Sequence, residues 1–558
     1  MFIKTKFNKL HKLVSNSTDK KRVSVLILFI IVFIFGYSFH QEGLYQKIEE
    51  TIFTWYLKSI GYEIDEIGLD IKFKELQKLR YKKDLTFSAK YFGYQALLFA
   101  NDNDYVSGAV EYKGKKYKAK LRLKGDYVDH LKGKKWSFRV KLSNSKSLFG
   151  LKKFSIHRPG TRHYLYEWIY TRLLEYEGLP AIKYKFINVS INGESLGVYA
   201  LEEHFDKILV EHNGLREGPI IKCTEQHFWA DKWLNPDKEV DQLYQQQMSE
   251  ILPFKYNKTI EVATQKQQFI RAKNLYEAFR QGKLPPSRVF DVDKMASFIA
   301  VSNLTNSWHA LMWSNLRFYY NPVTCRLEPI GFDGFSGRGI NRFSVLPTFI
   351  QPYSIHNYLY KDEILNSKTT EKLYEIANAN YIDSFFSFLN RKYSINFAII
   401  PGFLNRIMPG QWVRFCFYNK ETINHNYNVL KNHFKNNKIE GFISVDKKNN
   451  LKSLVLKNTT PFCIAITNIK HNDYQTISKQ IMLKPYAQIK AIQLKSETEA
   501  DKTEVSFKLA SLDGAEIETL TIINNQSLNS SVVAKAKKRS FKNILLNKNF
   551  INFMKSEF

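Results

Sequence analysis

The sequence predicts an α+β chain with three parts. One transmembrane helix lies near the N-terminus, a sheet-rich region then passes into a helical one, and a small β-sandwich follows. Three observations lead there. Val23–Phe39, VSVLILFIIVFIFGYSF, runs without a charge directly after a basic cluster that ends at Arg22. Between about 90 and 225, alternating strands and turn pairs dominate; from about 255 to 438 helical spacing takes over. From Lys438 to about Asn525 short apolar runs between turn residues return.

The first element is the membrane segment. An uncharged stretch of this length suits a short spanning helix, and Tyr37 and Phe39 suit an interface. The competing reading is a cleaved signal peptide, for which Gly36-Tyr37-Ser38 is a weak small-x-small match. The unbroken run Val25–Phe35 favours an uncleaved anchor. Positive-inside asymmetry then keeps residues 1–22 in the cytoplasm and places the main domain in the periplasm or outside the cell.

A membrane-proximal helical segment follows at 40–89, with helical spacing in Leu44–Leu57. The main domain is expected at 90–438. Val106–Glu111 and Lys116–Leu123 flank Gly114 as a hairpin, and Trp136–Leu142 reads as a strand. Tyr164–Glu177 is helical and stops at Gly178-Leu179-Pro180. Phe186–Ile191 and Leu196–Leu201 form a hairpin across Asn192-Gly193. Helices broken by Pro285-Pro286 lead to one capped by Asp291, then to strands Asn315–Tyr320 and Arg326–Ile330. The sandwich is expected at 439–530 and a basic tail at 531–558.

The chain has 558 residues, 44% hydrophobic and 15% aromatic, which excludes a disordered protein. Its net charge is +30; the two basic termini carry +6 each, so +18 remains on the rest. That field attracts phosphates, anionic polysaccharide or anionic lipid, unless it is only lysine spread over solvated faces. No nucleic-acid fold signature is present. Four cysteines without a CxxC pair exclude a disulfide framework and a structural zinc site. HExxH, Walker A and GxGxxG patterns are absent. Gly193-Glu194-Ser195-Leu196-Gly197 matches GxSxG, but a strand follows the serine where a nucleophile elbow needs a helix.

A sheet-rich lobe before a helical one is the layout of a two-lobed phosphotransferase, and several residues suit such chemistry. Lys135 opens the alternating segment KWSFRVKL and is either a phosphate-pairing lysine or a solvent-facing one. Glu202, Glu203 and Asp206 follow the strand LGVYAL; one could partner that lysine, or all could enrich a helix N-terminus. Asn315 opens a strand and Asp333 ends one among Gly331, Gly334 and Gly337. Such a pair can share a Mg2+ ion that bridges phosphates, or simply make turns. His309 is either packed beside Trp308 and Trp313 or a base in a cleft.

These segments together resemble the spore-coat protein H (CotH) kinase-like family. The stretches that carry the resemblance are LRLKGD, ending at Asp126, KKWSFRV, INGESLGVYALEEHFD at Ile191–Asp206, GPIIK ending at Lys222, and NLRFYYNP…LEPIGFDG. The resemblance implies an atypical protein-kinase-like, two-lobed domain that uses ATP and Mg2+ on an envelope or surface protein. By position, Lys135 would contact the nucleotide phosphates, Glu203 would orient it, and Asn315 and Asp333 would hold Mg2+. Active relatives place an aspartate shortly before the metal-binding asparagine. This chain has no Asp or Glu between Asn303 and Asn315, so His309 would substitute. The alternative is a scaffold without phosphate transfer, or an anionic-polymer binder in envelope assembly.

Overall fold

In the computed structural model the chain divides into two compact units, 1–435 and 436–558. The structure describes residues 44–337 apart from 144–145, then 339, 359, 362–397 and 420–433. Between 438 and 528 it describes all but 447–450, 461, 472–473, 476–479, 485–487, 495–501, 511–516 and 524–525. The expected span at 23–39, the tails 1–22 and 531–558, and Cys416 lie outside the described residues. Among the described residues no helix is long and apolar enough to cross a membrane.

The first unit is built on seven strands: β1 (Asp65–Asp70), β2 (Val106–Tyr112), β3 (Lys115–Leu123), β4 (Phe138–Leu142), β5 (Lys153–His157), β6 (Tyr184–Ile191) and β7 (Glu194–Glu203). They close into a barrel in the order β1-β2-β3-β4-β5-β7-β6. Alternation decides what fills it: Leu121, Leu123, Phe138, Val140, Phe154, Ile156, Ile187, Val189, Tyr199 and Leu201 all turn into one buried core. Neighbours are antiparallel except β1 and β6, whose parallel pairing closes the ring. Segment 40–89, expected to stand outside the domain, supplies that closing strand. Its helix Leu44–Ser59 docks on the barrel, with Phe53 and Leu57 buried and the Phe53 ring centred 5.0 Å from Phe186.

The Asn192-Gly193 turn has positive φ at both residues, +49° and +87°, as a tight hairpin requires. Asn192 also ties the turn to β1, accepting from Ile71 N at 2.8 Å and donating to Ile71 O at 2.9 Å. The GxSxG string is therefore a hairpin, with β7 continuing after the serine.

After the barrel comes a four-stranded sheet: β8 (Ile220–Cys223), β9 (Ile251–Pro253), β10 (Arg317–Asn321) and β11 (Arg326–Pro329), in the order β11-β10-β8-β9. Helices Ala263–Arg280, Val292–Leu304 and Glu363–Ile376 belong to this region. Asp291 caps the second of them, accepting from Lys294 N at 3.1 Å. The unit is thus a mixed α/β structure.

The second unit holds a three-stranded and a six-stranded antiparallel sheet. They face each other across Gly441, where an added Cβ would lie 2.7 Å from Ile522. Glycine lets the two sheets approach there.

Candidate functional site

Three strand ends of the barrel carry the site on its outer face. Lys124 follows β3, His157 ends β5, and Glu202 lies near the end of β7. Arg162 closes the short turn Pro159–Arg162, and Glu167 sits in the first turn of helix Leu165–Tyr176. Lys124 Nζ lies 2.9 Å from Glu202 Oε1, and Arg162 Nη2 lies 3.5 Å from Glu202 Oε2. Burial alone would raise the Glu202 carboxyl, but Lys124, Arg162 and His157 outweigh it and hold it well below the usual range. Burial pushes Lys124 down to about 8 despite Glu202. His157 is pushed down to about 3, by burial first and Lys124 second, so its imidazole is neutral.

The loop after β11 brings the other half. Asp333 and Phe335 adopt positive φ, +55° and +50°, a conformation rare for residues with a Cβ. Gly334 N donates to both Glu167 oxygens, at 3.2 and 3.1 Å, and pins the loop. A Cβ on Gly334 would lie 2.8 Å from Tyr170 and 2.9 Å from Ser307 Oγ, so glycine is needed there. Burial raises Glu167 to about 7, against the opposing charge of Arg162.

Arg162 joins the two halves, because its Nη1 pairs with Asp333 Oδ1 while Nη2 reaches Glu202. His309, in the turn Trp308–Leu311, places Nδ1 3.2 Å from Asp333 Oδ1 and 3.1 Å from Asp333 O. Asn315 Nδ2 donates to His309 O at 3.0 Å and lies 3.0 Å from His309 Nδ1. Its Oδ1 therefore points away from that contact. Burial, then Arg162, pushes His309 down to about 3.

A third wall comes from β8 and β10. Arg317 pairs with Glu225 at 3.2 Å, and the rings of Phe205, Phe254 and Phe332 lie under its guanidinium at 5.5–5.9 Å. Asp126 is exposed beside this wall, and the nearby Glu225 carboxylate acts to raise its carboxyl.

The structure brings together three of the five residues expected from sequence, Asp333, Asn315 and His309. The expected Lys135–Glu203 pair does not form. Lys135 lies 3.0 Å from Glu50 and donates to Val198 O at 2.9 Å. Glu203 accepts from Lys183 N at 2.8 Å and lies 3.1 Å from His212. The physical reason is strand parity, since adjacent residues of β7 face opposite sides and Glu202, next to the core residue Leu201, takes the outward side where Arg162 lies. Lys124, Glu202, Arg162 and Glu167 were missed as a set. LRLKGD and the Glu202-Glu203 doublet were the signals that contained two of them.

Among the described residues no cluster of three or more His, Cys, Asp and Glu could hold a metal. The donors available are one carboxylate, Asp333, and one amide oxygen, Asn315, both beside the same imidazole. That set suits a Mg2+ ion completed by phosphate oxygens and water, and it does not suit a closed all-protein cage.

No curated protein matches this chain. The model of a family described as CotH kinase protein matches residues 121–439, a stretch that runs from the end of β3 past Asp333 and contains every residue of the site above. The chain belongs to the CotH kinase protein family.

Proposed function

We propose that this protein is a membrane-anchored phosphotransferase that uses ATP and Mg2+ outside the cytoplasm on an envelope or surface protein. The observation that carries the reading is the Arg162 bridge. One guanidinium contacts Glu202, which holds Lys124, and Asp333, which lies against His309 beside Asn315. Phosphoryl transfer asks a protein chiefly for positioning and for neutralisation of charge. Lys124 and Arg162 supply cations, and Asp333 with Asn315 would hold the metal ion. Mg2+, when bound, would offset the negative charge of the phosphates. The apolar run Val23–Phe39 after a basic tail supports the anchor and its orientation.

A second reading is a nucleotide-binding envelope scaffold that transfers nothing. It is favoured by the absence of Asp and Glu between Asn303 and Asn315 and by the state of His309. An imidazole held at about 3, with Nδ1 already facing Asp333 and Asn315, is a weak proton acceptor.

Calorimetry of ATP binding to the full-length chain tests both. Mg2+-dependent binding that Asp333→Ala abolishes supports the site, and transfer of labelled γ-phosphate to a protein acceptor separates enzyme from scaffold. Binding indifferent to the metal and to the substitution would sink both readings.

A further inference from the structure

The outer face of β3, β4 and β5 carries a feature that the phosphotransferase site does not use. Residues at alternate positions of a strand share a face. On β3 the outward positions are Lys118, Lys120 and Arg122, while Ala119 and Leu121 turn into the barrel. On β4 the outward positions are Arg139 and Lys141, and on β5 Lys153. The register sets these side chains directly against each other: Lys120 faces Lys141, Arg122 faces Arg139, and Lys141 faces Lys153.

Like charges opposite each other on neighbouring strands destabilise a sheet. Among the described residues no carboxylate lies within ion-pair distance of Lys118, Lys120, Arg122, Arg139, Lys141 or Lys153. The compensation comes from further off, as the field of Glu202 on Arg139 and of Asp102 on Lys153. Burial and the charges of Arg139 and Arg122 push Lys153 down to about 8, which reports how crowded the cations are. Arg122 and Arg139 each carry a buried Nε without a hydrogen-bond partner. Arg122 Nη1 donates to Leu123 O at 3.0 Å and Arg139 Nη1 lies 2.7 Å from His204 Nδ1, so the two guanidinium groups are fixed side by side and add their charge to the exposed lysines.

We infer that this face is a binding site for a linear polymer of phosphate groups. The three cations of β3 repeat about every 6.7 Å and the flanking rows lie about 4.8 Å to the side, so the ladder is narrow. Its side chains pass from exposed at Lys118, Lys120 and Lys141 to half-buried at Arg122, Arg139 and Lys153. It therefore reads one chain laid along β3 rather than a folded acidic surface. No strand position of the ladder is aromatic, and Tyr105 beside it is already covered by the Arg122 guanidinium at 5.4 Å. Arginine forks match phosphate oxygens in planar, bidentate geometry.

Fluorescence anisotropy of labelled inorganic polyphosphate and of a glycerol-phosphate polymer, titrated with the full-length chain, tests this. The triple variant Lys118→Glu, Lys120→Glu, Lys141→Glu is expected to bind at least about tenfold more weakly and with a shallower salt dependence. A control with the same charge change on other exposed lysines, Lys72→Glu, Lys74→Glu, Lys90→Glu, is expected to retain most of the affinity. The tighter of the two polymers identifies the source of the phosphates. Equal loss in both triple variants would reduce the effect to net charge and overturn the site. Polyglutamate binding as tightly as polyphosphate would overturn the assignment to phosphate polymers. Asp333→Ala is expected to leave polymer binding intact, and the ladder variant to leave ATP binding intact, so failure of one reading is distinguishable from failure of the other.

Discussion

Glu50 Oε1 lies 3.0 Å from Lys135 Nζ and ties the helix Leu44–Ser59 to the segment that enters β4. Lys135 is only 6% exposed, so burial lowers its pKa while Glu50 supports the charge. Removing one partner of a buried pair leaves the other charge stranded, at a cost on the order of 3 kcal/mol. Glu50→Ala is predicted to lower unfolding free energy by about that amount in chemical denaturation. Lys135→Met keeps most of the packing without the charge and should cost much less. A loss in Glu50→Ala no larger than in the exposed control Glu63→Ala would show that the pair contributes nothing.

Lys124 provides the complementary test of which lysine serves the phosphates. Its ammonium is held at about 8 in the fold, so it loses charge as pH rises through 8. Affinity for MgATP should therefore fall above pH 8, by about tenfold if one charge-assisted contact is lost. Lys124→Arg keeps a positive charge across the range and should flatten the profile. Lys135→Met should leave it unchanged. Titration calorimetry between pH 6.5 and 9 decides; a profile altered by Lys135→Met and untouched by Lys124→Arg would return the role to Lys135.

The hairpins were legible because Asn192-Gly193 and Gly114 mark tight turns and the flanking residues alternate. The Asp291 cap and the helix after it were legible for similarly local reasons. The closing strand β1 was not, because DEIGLD is short and polar and its pairing to β6 spans more than a hundred residues. In the site, Asn315, Asp333 and His309 could be named from turn geometry and residue type. Choosing between Glu202 and Glu203 could not be done from sequence. Both are acidic and adjacent, and only the register of β7 against β5 and β6 decides which faces Arg162. Arg162 carries no local signal at all, since its importance comes from touching Glu202 and Asp333, 40 and 171 positions further along.

Acid stability follows from four histidines among the described residues that are kept neutral inside the first unit. Burial pushes His130, His157 and His309 down to about 3 and His204 well below its ordinary value. Each would bind a proton near 6.5 once unfolded. The unfolded state therefore holds more protons between about pH 6.5 and 3, so stability is complete above 6.5 and is lost as pH falls through that window. Glu202 adds to the loss at the acid end, since its depressed carboxyl favours the fold only while ionised. Unfolding midpoints measured from pH 7.5 to 4 should drop steadily. His157→Gln, which removes one such group, should give a shallower slope; an unchanged slope would mean that His157 is protonated in the fold.

Arg162 decides how His309 behaves. After burial, its charge is what holds the imidazole at about 3, and it does so while occupying the Asp333 oxygen that His309 Nδ1 also faces. Arg162→Gln should therefore raise the His309 pKa, because a positive neighbour is gone and Asp333 is left to the imidazole. NMR titration of the ring would follow it directly, with Asp333→Asn as the counter-variant that removes the anion. The same substitution should weaken MgATP binding by about tenfold, since a cation beside the phosphates is lost. If His309 acts as the base, transfer that remains in Arg162→Gln should show its acid limb moved to higher pH together with the NMR value. A ring pKa that rises while the acid limb stays in place would separate His309 from proton transfer and leave Arg162 acting on phosphate alone.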